Sequence, residues 1–225
     1  MSNAVFERTR AFWGSAIQQG NLMYPNDHVI RFVKKNFHNP SEIKILDFGC
    51  GGGRNTVALL SEGFDVIAME YTESATKMTR EKCKGMGKNN ISIIQNSGFD
   101  VPLKDDYIDA IVADGSLFYY NMTGIITILR NLRRVLKADG LIWTDFRTKN
   151  DSLYGKGNEI DGGLFEMQDG TDREGCTYYF ADEADVRSIF ASANLEIVSI
   201  DDYTYTTNDR NINNSWFHIV ARKGR

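Results

Sequence analysis

Residues 44–70 read KILDFGCGGGRNTVALLSEGFDVIAME. An apolar run ending in Asp47 and Phe48 leads into Gly49, Gly51, Gly52 and Gly53, interrupted only by Cys50. A helix-like stretch follows from Arg54, and then a second β-branched run that ends on Glu70. Glycine reaches positive φ and lets a ligand lie against bare backbone. In a doubly wound sheet, the turn after the first strand is where nucleotide-like ligands settle. The flanking acids narrow the choice. GxGxxG counted from Gly49 or from Gly51 would need glycine where Arg54 and Thr56 stand, so the dinucleotide pattern fails. A carboxylate at Asp47 would repel a pyrophosphate and suit an ammonium group. Glu70 is spaced to accept hydrogen bonds from both ribose hydroxyls of an adenosine.

Working outward, short β-branched runs at 43–48, 64–69, 91–95, 107–113 and 141–146 alternate with helical patterns at 54–62, 73–84 and 125–136. That alternation predicts βαβ units and an α/β, Rossmann-like doubly wound sheet, mostly parallel. Two helices are expected ahead of it, forming an N-terminal cap over residues 1–40. The first breaks at Gly14, Gly20 and Asn21, and the second carries Pro25 in its first turn. After a helix at 182–193, strands at 196–200 and 216–221 suggest an antiparallel C-terminal edge pair. The pattern fails between 147 and 181, a stretch rich in Gly, Asp and Asn in which LFEM and CTYYF could form a hairpin. It is expected to be an insertion after the fifth strand within one domain spanning 1–225, and such insertions usually carry function.

Composition bounds the rest. The chain has 225 residues, 42% of them hydrophobic, with a formal net charge of -4. With a sequence pI near 5.5 there is no global pull toward nucleic acid or anionic lipid. No apolar run approaches a membrane span, and the first residues lack a signal-peptide pattern. Three cysteines, Cys50, Cys83 and Cys176, form no CxxC. A reduced cytoplasmic setting is therefore expected. His28, His38 and His218 show no metal-ligand spacing, so no metal is expected.

A ligand with a ribose and a cationic amino-acid end, and no phosphate bridge, is S-adenosylmethionine (SAM). The sequence resembles the class I SAM-dependent methyltransferases, most closely the bacterial small-molecule group. LDFGCGGG looks like the family's first motif and VIAMEYTESA its second. IIQNSGFDVPL resembles the segment that packs on adenine, YIDAIVADGSLFYY the fourth motif, and LRRVLKADGLIWTDFR the helix and strand that follow. The resemblance runs from about residue 24 to 147. It implies SAM as cofactor and S-adenosylhomocysteine (SAH) as product. It implies cofactor contacts at Asp47, Gly49, Cys50, Gly51, Gly53 and Asn55, then at Glu70 and Tyr71. Further contacts are implied at Ser97, Gly98 and Phe99, and at Asp114, Gly115 and Ser116. Many relatives have Asp where Ser97 stands, so backbone at Gly98 and Phe99 would carry more of the adenine recognition.

The function this implies is methyl transfer to a small acceptor, O- or N-directed, such as a sugar or another polar metabolite, by a monomer or homodimer. His28, Asp114 and Asp145 are candidate bases. Tyr24, Arg147, Tyr154 and Lys156 are candidate acceptor contacts, with Arg147–Lys156 in the polar segment after the fifth strand. A nucleic-acid methyltransferase and a non-catalytic nucleotide binder are the rival readings. The cations Arg130, Arg134 and Lys137 lie opposite an apolar helix face, as a solvated surface would.

Overall fold

The computed structural model describes residues 3–18, 23–88, 91–168, 170–171 and 173–224. Five parallel strands form the centre: β1 (Lys44–Phe48), β2 (Asp65–Glu70), β3 (Ser92–Gln95), β4 (Ile108–Ala113) and β5 (Leu136–Thr148). They lie in the order β3-β2-β1-β4-β5. The chain leaves β1 toward β2 and returns to β4 on the other side. The carboxyl ends of β1 and β4 therefore border the crevice where the strand order reverses. The connecting helices are α3 (Arg54–Ser61), α4 (Glu73–Gly85) and α5 (Met122–Val135). This is the Rossmann-like doubly wound α/β sheet.

Alternation along the strands splits the core into two layers. Leu46, Phe48, Ile111, Ala113, Ile142 and Phe146 face α5, whose Ile125, Ile128, Leu129 and Leu132 are fully buried. Ile45, Ala110, Val112 and Trp143 face the other side, against α2 (Asp27–Asn36) and its buried Val29, Phe32 and Val33. Each such side chain contributes about 1.5–3 kcal/mol by burial. Asp145 and Arg147 follow Trp143 at two-residue steps, so they share its face of β5. That register aims both toward α2.

The antiparallel part is larger than the sequence reading. β9 (Glu196–Thr207) and β10 (Ile212–Arg222) form a long hairpin, closed by Asn208, Asp209 and Arg210, all at positive φ. Only β9 is at the edge, because β10 inserts between it and β5. The stretch between the two expected strands, which contains the polar run TTNDRNINN, carries a Tyr–Thr alternation, which is a strand period, and most of it extends the two strands. Between β5 and α6 (Glu183–Ser192) lie β6 (Gly157–Asp161), β7 (Leu164–Met167) and β8 (Thr177–Ala181). β7 and β8 form the expected hairpin, β6 adds a strand, and β8 joins the tip of β5 in parallel at Arg147–Phe180 and Thr148–Ala181.

At the N-terminus, α1 (Asn3–Gln18) runs straight through Gly14. The break expected at Gly20 and Asn21 lies outside the described residues. Pro25 precedes α2; Asn26 is its N-cap and accepts from the His28 N–H.

Candidate active site

A cavity of about 400 Å³ opens beyond the carboxyl ends of the parallel strands. Its floor is the glycine turn. The Gly49 and Cys50 N–H groups donate to the Met69 carbonyl at 2.8 and 3.0 Å, fixing the turn to β2. Gly49 sits at φ 69°, and a Cβ there would lie 2.4 Å from Ser116 Cβ. No side chain fits between β1 and the segment after β4. Glu70 ends β2 with both oxygens engaged. Oε1 accepts from the Thr72 N–H and hydroxyl at 2.9 Å each, and Oε2 accepts from the Gly51 N–H at 3.2 Å. Burial pushes its carboxyl up from the usual value, opposed by these donors. Oε1 is thus filled by two donors, and Oε2, with one, keeps a lone pair for the cavity that Glu70 lines.

Two carboxylates at the ends of β4 and β5 are held in opposite ways. Asp114 accepts from Arg54 Nη2 at 2.5 Å, Asn55 Nδ2 at 2.7 Å and Asn26 Nδ2 at 2.9 Å, which joins α2, α3 and β4. Asp145 accepts from the Gly115 N–H at 2.8 Å. Burial, and then the neighbouring Asp114 charge, pushes Asp145 up to about 8. It therefore holds a proton at neutral pH, as a pair of close buried carboxyls requires.

The far wall is built by cross-strand register. Asp145 stands opposite His218, and Arg147 opposite Trp216. On the next strand Tyr203 is opposite Trp216, and Tyr205 opposite Asn214. The His218 ring lies 4.3 Å from that of His28 and 5.0 Å from that of Tyr203, centroid to centroid. Burial, and then His28, pulls His218 down to about 4, so its imidazole is neutral. Arg147 is 7% exposed. Its Nη1 donates to Asp151 at 2.6 Å, and its guanidinium lies 4.0 Å from the Trp216 ring and 5.2 Å from that of Tyr178.

Of the residues singled out by sequence, His28, Gly49, Cys50, Gly51, Asn55, Glu70, Tyr71, Ser97, Asp114, Gly115, Ser116, Asp145 and Arg147 line this cavity. The others stand away from it. Asp47 turns toward α3, where it accepts from the Thr56 hydroxyl, and burial pushes it up to about 7. Gly53, at φ 81°, is packed against Thr79 of α4. Gly98 is wedged against Phe48 and Ile128, and Phe99 packs edge-on behind Tyr120. Phe48 and Tyr120 take the cavity positions expected of Phe99. Tyr24 is 84% exposed, and its carbonyl accepts from Arg54. Tyr154 packs on Phe165 and Phe180 away from the cavity, and Lys156 is exposed. The segment after β5 is pinned by Asp151, which also accepts from the Ser215 N–H, and by Ser152 against Asn213.

Sequence reasoning missed Tyr203, Tyr205, Trp216 and His218, whose signal was two-residue alternation on two strands read as shorter. It also missed Trp13 and Ile17 of α1, which lie over the turn; a Cβ on Gly52 would stand 3.1 Å from Ile17 Cγ2.

The cavity can take a ligand with the polar ends that SAM has. Three buried polar atoms lack a partner among the described residues: Trp13 Nε1, Ser116 Oγ and Arg147 Nε. All three residues line this one cavity, and buried polar groups in folded proteins are normally bonded. Among the described residues no cluster of three or more His, Cys, Asp or Glu could hold a metal ion, and no helix is long and apolar enough to cross a membrane.

Residues 45–140 match the family model described as a methyltransferase domain. A demethylmenaquinone methyltransferase of Geobacillus stearothermophilus is 28% identical over 116 residues, which cover 50% of this chain and 48% of that protein. A ubiquinone biosynthesis O-methyltransferase of Rickettsia prowazekii is 28% identical over 157 residues, covering 67% of this chain and 61% of that one. The chain thus spans about half or somewhat more of the length of these curated relatives. The solved 1,6-didemethyltoxoflavin-N1-methyltransferase of Burkholderia thailandensis, with 1,6-didemethyltoxoflavin and SAH bound, has a TM-score of 0.71 at 16% identity. The likeness covers 100% of this chain and 92% of that one, and is one of fold. The matched span holds the glycine turn and Glu70, and it is similar to methyltransferase domains.

Proposed function

We propose that this protein methylates a small metabolite at oxygen or nitrogen, using SAM and releasing SAH. The observation that carries the reading is that one cavity joins the glycine turn and Glu70 to Asp145, His218 and the aromatic wall. The quinone-pathway and toxoflavin methyltransferases among the relatives support a small-molecule acceptor. SAM supplies a methyl group on a sulfonium, which needs no further activation. The chain's part is placement and proton handling. Gly49 and Gly51 give the backbone its close approach, and Glu70 accepts the ribose hydroxyls. Ser116 and Trp13 offer free polar atoms beside the turn. The neutral His218 can take the proton of an acceptor hydroxyl or N–H, and Asp145, opposite it, can do so only once it has ionised. His28 packs on His218 and shields it from solvent.

Nucleic acid is not the expected partner. The cations that a phosphate-tracking surface would use are spent on the fold: Arg130 donates to the Ser192 carbonyl, Arg134 to those of Val101 and Leu103, and Lys137 to Asp109. Calorimetry with SAM, SAH and NAD tests the reading, followed by a methyl-transfer screen against small metabolites. SAM and SAH bind without added metal, and NAD does not. Failure of SAH to bind, or salt-sensitive retention on RNA with methylation of it, overturns the proposal.

A further inference from the structure

Asp145 and Arg147 stand two residues apart on one face of β5, each opposite a cavity residue of β10: His218 for Asp145, Trp216 for Arg147. Neighbouring same-face positions on a strand are about 7 Å apart. The wall therefore has a row that can take a proton through His218 and, one step further along the strand, a row that donates a hydrogen bond and offers an aromatic plane. The step matches one six-membered ring with polar groups at opposite corners. Tyr203 extends the second row, and Tyr178 closes it from the side of β8.

The second row is specific about what it takes. The Arg147 guanidinium is charge-balanced by Asp151, which the Ser215 N–H also holds. It lies 4.0 Å from the Trp216 ring and 5.2 Å from that of Tyr178. Its Nε–H is buried and has no partner among the described residues. A buried N–H of this kind calls for an acceptor atom. Because Asp151 already supplies the negative charge, a neutral carbonyl oxygen or ring nitrogen suffices.

We propose that the acceptor is a flat, single-ring phenol or hydroxy-heteroaromatic whose ring carries, across from the hydroxyl, a carbonyl-type oxygen or ring nitrogen that Arg147 Nε reads. The hydroxyl lies in the row of Asp145 and His218, and the ring lies against Trp216. Arg147 is thus the specificity determinant of the methyl-acceptor site, separate from cofactor binding. The inference rests on the methyltransferase reading above and names its acceptor class.

The test uses the full chain saturated with SAH, titrated calorimetrically with two probes of equal size, 4-hydroxyacetophenone and 4-ethylphenol. Only the first has an oxygen for Arg147. It binds at least about tenfold more tightly than the second. In R147K, which keeps a cation for Asp151 and loses the Nε–H, the preference falls to within about twofold while SAH affinity is unchanged. W216L weakens both phenols together and leaves SAH alone. Equal binding of the two phenols to the wild-type protein, no binding of either at millimolar concentration, or a preference that survives in R147K overturns the proposal. Loss of SAH binding itself would instead sink the methyltransferase reading, and the titration separates the two outcomes.

Discussion

The two ends of the cavity are built in different ways. The cofactor end is local: the glycine turn, Glu70 and Tyr71 come from one βαβ unit within residues 44–71, and Gly49 is forced by its own φ and by Ser116. The acceptor end is assembled from a distance. Arg147, Tyr178, Tyr203 and Trp216 sit on four strands and meet only because β10 inserts beside β5 and β8 joins its tip. A local site is written in contiguous residues and tolerates little change. A site made by register keeps its frame while individual side chains change, which suits a wall that selects acceptors.

If that contrast is real, the largest effect belongs to the turn. Gly49→Ala places a Cβ 2.4 Å from Ser116 Cβ at φ 69°, and β1 or the Ser116 segment must move. SAH affinity falls more than about a hundredfold, roughly 2.7 kcal/mol. Calorimetry on the folded variant checks this. A variant that binds SAH normally would mean that the turn is only a packing device.

Next comes Glu70→Gln. The isostere keeps one oxygen for the Thr72 or Gly51 donors but loses the charge-assisted bonds proposed for the ribose. SAH binding weakens by about tenfold or more, roughly 1.4 kcal/mol. The binding of 4-hydroxyacetophenone to SAH-saturated protein changes little. Equal losses for both ligands would break the separation between the two ends.

The same contrast explains what was legible in the sequence. The strand–turn–helix rhythm from β1 to β5 showed because each element carries its own period, and Glu70 showed because its spacing from the glycines is fixed by one crossover. Asp47 has the position of a ligand contact, but its side chain turns to Thr56, an orientation that spacing cannot report. Phe99 likewise stands off the cavity, which Tyr120 and Phe48 line. Tyr203 lay in the polar stretch between the two expected strands; Trp216 and His218 lay in an expected strand, but their placement depends on a pairing with Arg147 and Asp145, about seventy residues away. Nothing local encodes that pairing. Arg147 stood out because it closes the fifth strand, and it lines the cavity; the side chains around it were not legible.

Asp145→Asn divides stability from chemistry. Asp145 is raised from 3.8 to about 8 in the fold. Below about pH 4 folded and unfolded chains both hold the proton. From there to about 8 the unfolded chain releases a proton that the folded one keeps, so stability falls as pH rises. His218 acts oppositely, with its stabilisation lost as pH falls from 6.5 toward 4. Between pH 6.5 and 8.5, therefore, the buried carboxyls set the slope. The Tm of the cofactor-free protein drops over that window, and D145N flattens the drop, gaining roughly 1–2 kcal/mol or about 3–6 °C at pH 8.5. Its Oδ1 still accepts from the Gly115 N–H, so the frame stays. Turnover on an identified acceptor falls at pH 8.5, where an ionised Asp145 could take the proton and D145N leaves that to His218. A D145N protein that melts lower than wild type at pH 8.5 would show that the fold favours the Asp145 carboxylate over its neutral form.

The smallest effect is the one that sharpens the acceptor end most. Tyr154 and Lys156 follow the fifth strand in a polar, glycine-containing segment, and sequence reasoning placed them over the acceptor. In the fold the start of that segment is tied down by Asp151 and Ser152, and it meets the cavity only through Arg147. Tyr154 is 41% exposed and packs edge-on against Phe165 and Phe180. Its truncation removes the exposed member of an aromatic cluster with the buried Phe165 and Phe180, a cost of about 1 kcal/mol in stability. Tyr154→Ala and Lys156→Ala therefore leave acceptor KM and turnover within about twofold, under 0.5 kcal/mol, while R147K changes acceptor preference. Steady-state kinetics on the identified acceptor distinguishes the cases. A tenfold rise in KM for Tyr154→Ala at unchanged SAM affinity would return the segment to the site as a closing lid, and the wall of β5, β10 and β9 would then be only its backing.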